Sequence, residues 1–148
     1  MTTNDFSTPS AFARILGLAG LLPFLAGAVA LAALDAPGLK AWAVTALLSY
    51  AALIATFLGG IHWGLAMQGV QPVNVRLGWG VSPSLLAWVA VMLPPGIGLP
   101  WLAALLVICY AVDRKLYVSA GLSGWLGLRL QLTCVATLSC LVGAWAAR

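Results

Sequence analysis

The stretch AWAVTALLSYAALIATFLGGIHWGLAM, residues 41–67, runs for 27 positions without one Asp, Glu, Lys or Arg. A helix needs about 20 apolar residues to cross the hydrocarbon core of a bilayer, so this stretch reads as a membrane span with length to spare. Its neighbours repeat the pattern. Further apolar runs cover 15–34, 77–93, 97–112 and 126–147. The first and last are long enough to span. The runs at 77–93 and 97–112 are short and joined by Pro94-Pro95-Gly96-Ile97-Gly98-Leu99-Pro100, so they read as two thin spans or a re-entrant hairpin, with two spans preferred.

Composition agrees. Of 148 residues, 63% are hydrophobic and only 7% charged, too few charges to coat the core of a soluble domain. The fold class is therefore all-α: a single integral membrane domain over residues 1–148, built as a bundle of about five helices with lipid as its outer solvent. The first run is not read as a cleaved secretory signal. No positive charge precedes Arg14, and the apolar stretch exceeds a signal core of about 7–15 residues.

The net charge of +4 is too sparse for a nucleic-acid footprint. It serves instead as an orientation signal. Five spans put Arg14, Arg76, Arg114, Lys115 and Arg129 on one side and Lys40 and Arg148 on the other, which places the N-terminus in the cytoplasm and the C-terminus outside. Trp42, Trp63, Trp79, Trp101, Trp125 and Trp145 all fall near proposed helix ends, where an amphipathic ring suits the headgroup layer, and Trp88 alone falls mid-span.

Lipid gives helices no hydrophobic reason to associate, so small and weakly polar residues mark where they touch. On the second helix, Thr45, Ser49, Ala52, Thr56, Gly59 and Gly60 share a face, and Gly60 and Gly64 form a small-x-x-x-small pair. On the fifth, Arg129, Thr133, Ala136, Thr137, Cys140, Gly143 and Ala144 do the same. These two helices are expected to form the central pair. Cys109, Cys134 and Cys140 all lie in apolar stretches with no Cys-x-x-Cys spacing, so they read as packing residues.

Ionisable groups at membrane depth are expensive unless solvated or paired. His62 is the only histidine, about one turn from the end of the second helix and roughly 100° from the centre of its small-residue stripe, so it is free to face a third helix. Asp113 closes the fourth run, and Arg129 opens the polar face of the fifth. In a five-span bundle these three converge on the cytoplasmic leaflet. One reading is a shallow polar pocket with Trp63, Trp79 and Trp125 around it, where Arg129 holds an anionic group and His62 relays a proton. The other is structural: Asp113 pairs with Arg129 or Lys115, His62 binds a carbonyl and Arg129 reaches lipid phosphate. A single histidine and the lack of ligand spacing imply no haem, metal or other cofactor. No nucleophile elbow, phosphate loop or zincin pattern is present, so no catalytic residue is assigned.

Ser49-Tyr50 through Phe57-Leu58-Gly59-Gly60-Ile61-His62-Trp63-Gly64 resembles the hallmark helix of the domain-of-unknown-function 3429 family. Leu77-Gly78-Trp79-Gly80-Val81-Ser82-Pro83-Ser84-Leu85 is similar in the same way, as is Asp113 followed by Trp125-Leu126-Gly127-Leu128-Arg129-Leu130-Gln131-Leu132-Thr133. Gly127 departs mildly, since the family often has a bulkier residue there. The resemblance covers nearly the whole chain and implies a bacterial multi-pass protein of the inner membrane, with a mitochondrial relative, and no activity to carry over.

The expected function is a non-catalytic accessory or assembly role in a respiratory-type membrane. Its partners would be the bilayer and a membrane protein or a second copy, contacted through a small-residue stripe such as Gly20 and Gly27 on the first helix. The alternative is a module that binds or transports a small amphiphile, a lipid or a quinone at the His62–Asp113–Arg129 level. An enzyme ranks last, because two titratable groups in reach of one substrate atom are hard to assemble from this chain.

Overall fold

The computed structural model describes residues 7–148, and all the secondary structure among them is helical. Six helices make five spans. The first span, Ala11–Ala33, is broken into α1 (Ala11–Ala19) and α2 (Leu22–Ala33). Helices α3 (Pro37–Met67), α4 (Val73–Met92) and α5 (Pro95–Ser119) follow, and a single 3-10 turn at Ser123–Trp125 leads into α6 (Leu126–Ala146). Large apolar side chains such as Leu53, Phe57, Trp88 and Met92 point outward, the pattern of a bundle whose solvent is hydrocarbon.

The break in the first span follows from Pro23. Its ring nitrogen cannot donate to the carbonyl of Ala19, and the ring collides with that carbonyl, so the helix restarts at Leu22. A carbonyl loosened by such a break needs a new partner inside a membrane. Tyr50 of α3 serves the next carbonyl in the break, donating its hydroxyl to Gly20 O at 2.8 Å while its ring meets Phe24 edge-on at 5.1 Å.

Runs 77–93 and 97–112, short on hydropathy alone, are the cores of α4 and α5, which extend to 20 and 25 residues as two separate spans. Helix α4 begins at Val73 because Pro72 closes the preceding loop, which draws Arg76 into the first turn. Helix α5 does not stop before Asp113 but continues to Ser119. Asp113, Leu116 and Tyr117 are buried while Arg114 and Lys115 are exposed, so the charged residues extend an amphipathic helix instead of forming the expected loop.

The expected pairing of the second and fifth runs is corrected. The broadest contacts are α3 with α4 and α5 with α6, whereas α3 and α6 touch only lightly, since α2 and α5 fill the space between them. The small-residue stripe of α3 serves α4. A Cβ on Gly59 would strike the carbonyl of Gly80, so these two backbones touch directly. Ser49 and Ala52 line a shallow groove with Ser84, Ala87 and Trp88 of α4, and Thr56, also on that groove, donates its hydroxyl to its own helix at Ala52, 3.0 Å away. Gly60 and Gly64 face away from the bundle, with no atom of another helix among the described residues within 4 Å of an added Cβ. On α6, Arg129, Thr133, Ala136, Cys140, Gly143 and Ala144 are buried as one inward face. Gly27 also turns inward, its hydrogen face meeting Leu47, so it is no lipid-facing stripe.

Candidate functional site

Four helix ends meet at one end of the bundle: the last turns of α3 and α5 and the first turns of α4 and α6. Each brings one ionisable residue inward. His62 lies five residues before the end of α3 and Asp113 six before the end of α5, while Arg76 and Arg129 occupy the first turns of α4 and α6. His62 and Arg76 are 0% exposed, Asp113 1% and Arg129 7%.

The four form one chain of hydrogen bonds. His62 Nε2 lies 2.8 Å from Asp113 Oδ1. Arg129 donates twice to Asp113 Oδ2, from Nε at 2.9 Å and from an Nη at 2.5 Å. Arg76 approaches His62 Nδ1 at 3.4 Å with one terminal nitrogen. Its other terminal nitrogen donates to the Leu116 carbonyl at 2.7 Å, Ser119 Oγ at 2.9 Å and the Gln71 carbonyl at 3.2 Å, and Nε also reaches Gln71. The Leu116 carbonyl sits in the last turn of α5, where the helix dipole favours a cation. Asp113 thus spends both oxygens inside the protein, and Arg76 adds a charged donor to the Leu116 carbonyl, which also accepts from Ser119 Oγ at 3.0 Å.

His62, Asp113 and Arg129, three residues from three separate runs, are therefore brought into direct contact. The three tryptophans expected around them are split. Trp63 turns to α4, donating its indole N–H to the Leu77 carbonyl at 3.0 Å and covering Gly80. Trp79 is half-buried against the core, and Trp125 stands beside Arg129. Arg76 is the residue that sequence reasoning missed. It lies one residue before the apolar run at 77–93, yet the buried positions of α4 run Arg76, Gly80, Pro83, Ala87, Ala90. That alternation of four and three is the spacing of an inward helix face, and it shows in the sequence when the helix is started at Val73, just after Pro72.

Next to the cluster opens a crevice of about 380 Å³ between the broken first span, α3 and α6, with α5 as its floor. Leu16, Ile54, Ile61 and Leu132 give it apolar walls, and Arg129, Tyr117 and Trp125 stand at its polar end. Thr133 lines it as well, while the side chains of His62, Asp113 and Arg76 lie behind the wall.

These features define a class: a five-span helical membrane protein with a buried four-residue charged cluster at one end and an apolar crevice beside it. The chain belongs to the family described as DUF3429, protein of unknown function, whose model matches residues 9–145. It is similar to Transmembrane protein 69 of Xenopus tropicalis, 32% identical over 137 residues that make up 89% of this chain and 53% of that protein. Transmembrane protein 69 of Mus musculus is 28% identical over 134 residues, 88% of this chain and 54% of that protein. The chain thus spans about half the length of the curated relatives it matches. No solved structure matches it.

Proposed function

We propose that the protein is a binding module for a membrane amphiphile, whose apolar chain lies in the crevice with its polar head beside Arg129, Tyr117 and Trp125. The observation that carries this reading is the crevice itself. It joins a long apolar wall to a single polar end, within the size range of small-molecule sites. The salt bridge to Asp113 neutralises Arg129 while fixing its orientation, so the head it suits is a hydrogen-bond acceptor such as an ester, a phosphate or a quinone carbonyl. The reading includes a bacterial inner membrane with the cluster on the cytoplasmic side. With Arg76 and Arg129 tied into the cluster, that orientation rests on Arg14, Arg114 and Lys115 against Lys40 and Arg148.

Native mass spectrometry of the chain extracted from its own membrane in a mild detergent tests the binding. The expected result is a reproducible added mass of one amphiphile, lost when Ile61→Trp fills the crevice and retained in Leu53→Trp on the outer face. A bare chain, or an added mass untouched by Ile61→Trp, overturns the reading. A co-purifying polypeptide in place of the small mass would favour the accessory role instead.

A further inference from the structure

The donors and acceptors of the cluster determine more than its stability. A guanidinium carries five N–H donors and no acceptor, and an ionised carboxylate only accepts. A histidine ring placed between them has no freedom: the nitrogen that faces the arginine must present a lone pair, and the one that faces the carboxylate must present a hydrogen. In this chain Nδ1 faces Arg76 at 3.4 Å and Nε2 faces Asp113 at 2.8 Å. Arg76 cannot easily rotate away, because its other nitrogens are spent on Leu116, Ser119 and Gln71. Tyr117 stands beside the ring, tilted by 51° at 5.9 Å between centroids.

We propose that Arg76 is a positioning residue of the cluster: it donates to a bare Nδ1 of His62, whose single proton, on Nε2, is given to Asp113. Hydrogen bonding then runs one way, from Arg76 to His62 to Asp113, and it commits Oδ1 of Asp113 to the imidazole and Oδ2 to Arg129. Arg129 is thereby fixed at the crevice end by a residue that does not touch the crevice. The inference stands whatever fills that crevice, since it follows from the four side chains alone.

Histidine occurs once in the sequence, so selective ¹⁵N-histidine labelling of the tag-free full chain in lipid nanodiscs gives the ring signals of His62 without overlap. The expected long-range ¹H–¹⁵N spectrum at neutral pH shows a protonated Nε2 and an unprotonated Nδ1. Arg76→Lys keeps a donor without an acceptor and should preserve that pattern. Arg76→Met should keep the proton on Nε2, which Asp113 still accepts, and move the bare-Nδ1 resonance downfield to that of a lone pair that accepts no hydrogen bond. A protonated Nδ1 in the native protein overturns the proposal, and so does an unchanged spectrum in a folded Arg76→Met variant. If Arg76→Met does not fold, the native and Arg76→Lys spectra decide: a bare Nδ1 in both supports it, and a protonated Nδ1 in either sinks it.

Discussion

The two ends of this bundle are held together by different means. At the end where α3 and α5 finish, four ionisable side chains form a buried network in which every bond is short of alternatives. Close glycine contacts act at both ends, through Gly59 against Gly80 one turn from the cluster and, where α4 turns into α5, with no buried charge beside them. A Cβ on Gly98 would come within 2.5 Å of the Ala90 carbonyl, and one on Gly143 within 2.5 Å of Leu47, with Leu31 and Leu99 just beyond. Lipid competes with apolar side chains but not with directed hydrogen bonds or close backbone approach, so a membrane bundle can be fastened by either. Charges fix which atoms meet, while glycines fix only how near the helices come.

The comparison can be broken hardest at Asp113. Asp113→Ala strands Arg129 and His62 in a buried site, with an expected loss of about 3–5 kcal/mol in chain stability, read by denaturation in detergent. A loss under about 1 kcal/mol would mean water or lipid already solvates the pair. Overpacking the glycine end should cost less: Gly143→Leu pushes into Leu47, Leu31 and Leu99 and should cost about 1–3 kcal/mol in the same assay. Next comes Tyr50→Phe, which removes only the hydroxyl bridge to Gly20 and should cost about 0.6 kcal/mol, the mean for such bonds in membranes. Smallest is Gly60→Ala, on the open face beside the tightly packed Gly59, expected within about 0.5 kcal/mol of neutral. A larger loss at Gly60 in the membrane than in detergent would reveal a partner helix on that face.

The spans were legible because hydropathy alone dictates them. Three members of the cluster were legible too, because His62, Asp113 and Arg129 are ionisable groups at the same end of three otherwise apolar runs. Arg76 was hidden by a boundary: placing the helix start at Leu77 instead of Val73 turned an inward guanidinium into a loop charge. Helix pairing was less accessible. The stripe through Ser49, Thr56 and Gly59 says that α3 has a close neighbour but not which one, since smallness carries no address. The crevice was out of reach, because it depends on how a proline-broken helix leans against two others.

That break has a mechanical side. A continuous helix bends as a rod, but the first span lacks a backbone hydrogen bond where Pro23 interrupts it, and α1 buries none of its residues. It is therefore two levers on a pivot at Gly20, pinned by one tyrosine hydroxyl, and the outer lever forms a wall of the crevice. Amide exchange should be faster in Ala11–Ala19, which buries none of its residues, than in α5, which buries ten, so one wall of the crevice should open before its floor does.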